Sequence, residues 1–195
     1  MQDASQPPID ARALLRIQAH ANRLANYRLH TAMSALSLAE LEAPRTGFFP
    51  TLIGTLNHIL EVDGYYIGVL HGDADIDSGW WDRFIPAATL ADLARRQRES
   101  DERLIAWFGH QEPAALGRPV QMPRQAGRVQ TDRAAHMLQH LFMHQTHHRG
   151  QVHAMLSGTA VAPPQLDEFL MPSEPHLRSA EMAASGLSEA AVYGR

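Results

Sequence analysis

Four stretches of this chain carry apolar residues at the three-and-four spacing that gathers them on one side of a helix, and none shows the strict alternation of a half-buried strand. The first runs from Asp10 to Leu41, with Leu14, Ile17, Ala21, Leu24 and Ala25 in period. Asn22 and Asn26 occupy adjacent turns of it and read as surface polarity or packing against the next helix, with substrate contact as the alternative. Pro44 and Gly47 break the chain. The second stretch begins at Pro50, well placed at the first helical position, and ends at Leu70 with Gly72 as its stop. It is apolar nearly all round, with Leu56, Leu60 and Ile67 opposing His58, which marks a buried helix. In the third, Thr89-Leu-Ala-Asp92 resembles a capping box with Asp in place of Glu, and the helix runs to about Phe108 with Gly109 as its stop. Leu90, Leu93, Leu104, Trp107 and Phe108 form its inner side. The charged run from Arg95 to Arg103, Asp101 included, forms its solvated side. The fourth spans Thr131 to Gly158, with Thr131 as N-cap, Asp132 in the first turn and Gly158 just past the end.

The connections are long. His71 to Ala88 carries Asp73, Asp75 and Asp77, but the glycine and glutamate of a calcium loop are missing, so calcium is rejected. Trp80 and Trp81 in the same connection suit a plug for one end of a bundle, or a cover over a site. Residues 110–130, rich in Gly and Pro, read as a loop with room for a small hairpin. Residues 1–9 are expected to fray. Four helices without a strand pattern predict an all-α fold, a four-helix bundle over residues 1–172 with long loops at its ends. Residues 173–195 form a short C-terminal extension, Ala/Ser/Glu-rich and expected to be partly disordered, with a short helix near Ala180.

Composition removes several function classes. The chain has 195 residues, enough for one domain with a real core, and 45% of them are hydrophobic. Its net charge is −4 and no basic stripe appears, so nucleic acid is not an expected partner. There is no cysteine, which excludes disulfides, thiolate metal sites and a cysteine nucleophile. All seventeen basic residues are arginine, which excludes a Schiff-base lysine and the lysine of a phosphate loop. No signal peptide and no membrane-length apolar run is read, so the expected location is cytoplasmic.

The chemistry concentrates in the fourth helix, which holds His136, His140, His144, His147, His148 and His153, half of the twelve histidines. With His144 at zero and about 100° per residue, Met137 and Met155 fall near 20°, Leu141 near 60°, Val152 near 80°, and Leu138 and Leu156 near 120°. His144 and His148 sit on the edge of that apolar arc, one turn apart. His140 and His147 lie on the flank, and His153 points away. Two inward histidines at i and i+4 form a metal-ligand pair by geometry; the plainer reading is two hydrogen-bonded core histidines. Gln145 stands where a zinc protease has glutamate, so that signature is absent. The best third ligand is His58, mid-helix among apolar neighbours. Glu61 and Tyr65, one and two turns beyond it, are candidate proton-transfer groups or partners of the ligands, against the plainer reading of a surface Glu and a packed Tyr.

The run from His144 to Gln151, followed by Val152, His153, Ala154 and Met155, resembles the signature of the DinB/YfiT-like superfamily of metalloenzymes. Asn22-Arg-Leu-Ala-Asn-Tyr-Arg-Leu29 is similar to that family's first helix, and Asn57-His58-Ile59-Leu60 to its second-helix histidine. The resemblance covers roughly residues 10 to 172. It implies a four-helix bundle with a divalent metal on His58, His144 and His148; imidazole ligands suit zinc, nickel, copper or iron, with zinc and nickel first. It also implies a homodimer and a small-molecule substrate undergoing thiol-dependent S-transfer, isomerisation or hydrolysis, with a low-molecular-weight thiol as partner in the first case. Two other readings stay open. One is a stress-related protein that binds metal or ligand without turnover; the other is a bundle with purely structural histidines.

Overall fold

The computed structural model describes residues 10–110, 112–167 and 171–194; the frayed start expected at residues 1–9 lies outside them. The fold is an all-α bundle with one small sheet. Helix α1 spans Ala11–Met33, and Asp10 caps it by accepting from Ala13 N at 2.7 Å. The single helix expected from Asp10 to Leu41 is in fact two. Chain direction changes after Ser34, and a complete capping box, with Ser37 and Glu40 each bonding the other's backbone, starts α2 over Leu38–Glu42. Helix α3 spans Leu52–His71. Its cap is Thr51, whose hydroxyl accepts from Gly54 N, so Pro50 stands outside the helix rather than at its first position. Gly72 ends it at φ 73°, a conformation only glycine adopts freely. The short α4, Trp80–Arg83, follows, and α5 spans Leu90–His110, running through Gly109 instead of stopping there.

Strands β1 (Pro119–Pro123) and β2 (Val129–Arg133) form the antiparallel hairpin, from Pro119 opposite Arg133 to Pro123 opposite Val129. This pairing moves the start of the last helix. Thr131 lies in β2 opposite Gln121, so it is not a cap, and α6 spans Ala134–Leu156 with no side-chain cap at Arg133.

Helix α1 packs on α5 and α6, and α3 packs on the same two, so α1 lies diagonal to α3 across the bundle. The apolar core is divided along the bundle axis. One cluster gathers Ala19, Tyr66, Trp107 and Leu138; the other gathers Leu29, Leu56, Leu93 and Val152. Between them every long helix contributes buried polar side chains: Asn22 and Asn26 from α1, Asp63 from α3, Gln97 and Asp101 from α5, Gln145 and Arg149 from α6. Trp80 and Trp81 pack on the first cluster, closing that end of the bundle. The tail, where partial disorder was expected, carries α7 (Ser179–Ala184) and α8 (Glu189–Tyr193). Met182, Leu187 and Val192 bury themselves against Leu24, and Arg178 pairs with Glu189, which supplies the apolar contact and charge pairing that hold these residues in place. Among the described residues no helix is long and apolar enough to cross a membrane.

Candidate metal centre

His58, His144 and His148 meet at the level of the buried polar layer, on the side of the bundle where α3 faces α6. One ligand atom from each ring lies within 4.8 Å of the others, and among the described residues this group could hold a metal ion. His144 Nε2 is 3.1 Å from His58 Nε2. Two neutral imidazole nitrogens are held that close by a proton or a cation between them. Two ligands of one tetrahedral ion, at bonds of about 2.0–2.1 Å, stand roughly 3.3 Å apart, so the spacing suits a shared ion.

All three rings are poised to be neutral. Burial pulls His58 down to about 4, helped by the charge of His148. Burial pulls His144 down to about 3, with His148 and His58 adding to the effect. His148 is also lowered by burial, partly offset by its hydrogen bond to Gln151. A neutral imidazole keeps one lone pair, and the partner of the other nitrogen decides which nitrogen that is. His148 Nδ1 bonds Gln151 Oε1 at 2.7 Å, which places the proton on Nδ1 and frees Nε2. Glu61 Oε2 lies 3.7 Å from His58 Nδ1, longer than a hydrogen bond but close enough to favour a proton on that nitrogen. Phe49 stacks on His58 with ring centroids 4.2 Å apart and meets His148 edge-on, shielding both rings.

Glu61 and His58 also line a cavity of about 440 Å³, with Phe49, Asn57 and Phe84 among its walls. Burial raises the Glu61 carboxyl. Tyr65 is placed elsewhere: its hydroxyl donates to the Pro123 carbonyl and its ring packs on Trp81. His140 is exposed and packs on Tyr66, His147 is exposed with Nε2 3.2 Å from Gln151 Nε2, and His153 bonds the Pro164 carbonyl.

Sequence reasoning missed Gln151 and most of the polar layer. Asp101, assigned to a solvated face, is 1% exposed and accepts from Asn22, Asn26 and Gln97. Asn26 and Asn22 in turn accept from Arg149. Gln97 also donates to Asp63, which is fully buried. Burial and the neighbouring Asp101 push Asp63 up to about 7, while burial pushes Asp101 up to about 6. With His144 at zero, Gln145 falls at about 100°, inside the apolar arc, and Arg149 at about 140°, just past its edge at Leu138 and Leu156.

Compared with protein families, the chain matches the model of the DinB family over residues 15–177. No curated protein matches it.

Proposed function

This chain belongs to the DinB family, and from that premise we propose that it binds a divalent metal on His58, His144 and His148 and acts as a metal-dependent enzyme on a small molecule. The observation that carries this reading is the convergence of three neutral imidazoles from two helices, with an Nε2–Nε2 spacing of 3.1 Å. Structural zinc sites are usually closed by four protein ligands; three imidazoles leave a position open, which is the catalytic pattern. A metal bound there supplies Lewis-acid polarisation, or lowers the pKa of a bound water or thiol.

The chain's own residues do the rest. Gln151 and Glu61 fix which nitrogen of His148 and His58 faces inward. Phe49 keeps bulk water off the rings. The cavity beside His58 and Glu61 takes the substrate, and Glu61, its carboxyl raised by burial, exchanges a proton with it. Imidazole ligands suit zinc, nickel, copper and iron, with zinc and nickel the first choices. Thiol-dependent S-transfer and hydrolysis are the two reaction types the site accommodates, since nucleophile and leaving group both come from the substrate side. The active species is a cytoplasmic homodimer.

The test is metal content of the untagged protein, followed by turnover with low-molecular-weight thiols and with acyl substrates. One equivalent of metal and turnover lost on chelation support the reading. Metal without turnover leaves a binding protein, and protein that takes up no metal leaves structural histidines.

A further inference from the structure

Across the bundle from the histidines, α1 and α5 diverge around a second cavity of about 590 Å³, a volume in the range of small-molecule sites. Its origin lies in two helical stripes. Along α5 the side facing α1 presents Ala91 and Ala94, then Arg98 and Asp101, at i, i+3, i+7 and i+10. The two alanines lack the bulk to reach α1, so a gap opens opposite His30 and Ser34. Asp101 closes the floor, its carboxylate already occupied by Asn22, Asn26 and Gln97.

Three observations say what the gap would hold. The first is an unused polar group at depth. His30 is 8% exposed and lines the cavity, yet its ring has no hydrogen-bond partner among the described residues. Burial, with the charge of Arg149, holds it down at about 4, so at neutral pH it offers one donor and one acceptor. Its nitrogens are not among the buried polar atoms left without a partner, so they stay accessible to water or to a ligand in the cavity. The second is the sign of the wall. Arg23, Arg95 and Arg98 line the cavity against one carboxylate, Asp101, whereas the acids that pair with the first two (Glu102, Asp92 and Glu99) do not line it. Arg98 has no ion-pair partner among the described residues. The third is the apolar share: Leu36, Leu90 and Ala94 also line the cavity.

The geometry points to a second ligand site, for a small monocarboxylic acid with a compact apolar body and a hydrogen-bonding group at its far end. The carboxylate meets Arg98 at the rim, in the planar pairing guanidinium favours. The body lies against Leu36, Leu90 and Ala94, and the far polar group meets His30. Nothing in this assignment depends on a metal at the histidine cluster.

The probe is 4-hydroxybenzoate, titrated calorimetrically into the full-length, metal-stripped protein, with phenol and inorganic phosphate as comparators. The expected result is one site with a Kd below about 1 mM. Phenol and phosphate, each lacking half of the match, bind at least about tenfold more weakly. Arg98→Gln weakens 4-hydroxybenzoate by about tenfold or more, since Arg98 is exposed and its loss removes only a charge-assisted contact. Ala94→Trp fills the cavity and abolishes binding; Ala91→Phe repeats that test from the exposed position should Ala94→Trp fail to fold. His144→Ala leaves the affinity unchanged, which separates this site from the histidine cluster. No binding by the wild type at millimolar concentration overturns the assignment. So does wild-type affinity in both Arg98→Gln and the cavity-filled variant, or loss of binding in His144→Ala.

Discussion

His148 and His147 are adjacent in sequence yet face different surroundings, because a helix turns about 100° between them. That turn leaves His148 8% exposed between Phe49, His58 and His144, while His147 faces solvent. His58→Ala, His144→Ala and His148→Ala are each expected to abolish stoichiometric metal binding, and His147→Ala and His153→Ala to retain it. Elemental analysis per folded chain decides, and full metal retention in His148→Ala would show the ligand set to be wrong. Gln151→Ala should keep the metal but weaken it by about 10–100-fold, the usual effect of losing the group that orients a ligand. A competition titration against a chelator of known affinity reads that change; an unaltered affinity makes Gln151 a bystander. His144 and His148 were legible because imidazole at the edge of an apolar arc is conspicuous, and His58 because it stands mid-helix among apolar neighbours. Gln151 was not, because a glutamine one turn from its partner, on the margin of that arc, is indistinguishable in sequence from surface polarity.

At the scale of helices, apolar periodicity places the cores well, and the helix ends and polar interiors less well. The start of α6 was misplaced because Thr131 makes an acceptable N-cap in isolation, and only its pairing with Gln121 across the hairpin shows it to be strand. Asp101 was misassigned because it sits within a run of charged residues on α5. What draws it inward is Asn22 and Asn26 on the neighbouring helix α1, a contact about 75 residues away in sequence that no local pattern encodes. The resulting layer holds two carboxylates and one guanidinium in the middle of the bundle, so Arg149 is expected to matter more than any single apolar residue near it. Burial lowers its pKa, yet the charges of Asp101 and Asp63 oppose that and keep it cationic. Arg149→Leu should destabilise the protein by about 3–5 kcal/mol at pH 7, because it strands buried negative charge. The loss should shrink at pH 5, where the raised carboxyls take up protons and no longer need a partner. Urea unfolding at both pH values tests this, and an equal loss at the two would show that Arg149 contributes packing rather than charge compensation.

For the whole molecule, these buried groups set opposing pH dependences. The unfolded chain protonates its histidines near 6.5, whereas His20 and His30 stay neutral in the fold until about 4, both chiefly through burial. Between those values the unfolded state binds more protons, so this contribution is lost as pH falls. Asp63 and Asp101 work the other way. Their folded pKa values, about 7 and about 6 against 3.8 unfolded, mean that the folded state binds more protons on acidification, and stability rises as they are neutralised. The two pairs nearly cancel. His58 and His144, also lowered but partly exposed and so partly screened by solvent, tip the balance. The metal-free protein is therefore expected to lose stability modestly between pH 6.5 and 4, seen as a falling urea midpoint. Asp63→Asn removes one of the two opposing contributions, so its midpoint should fall more steeply over the same window, starting closer to or above the wild type at pH 7. A wild-type midpoint that rises towards pH 4 would mean that the raised carboxyls outweigh the histidines, and an Asp63→Asn profile parallel to the wild type would mean that Asp63 is already ionised in the fold, with Arg149 compensating it fully.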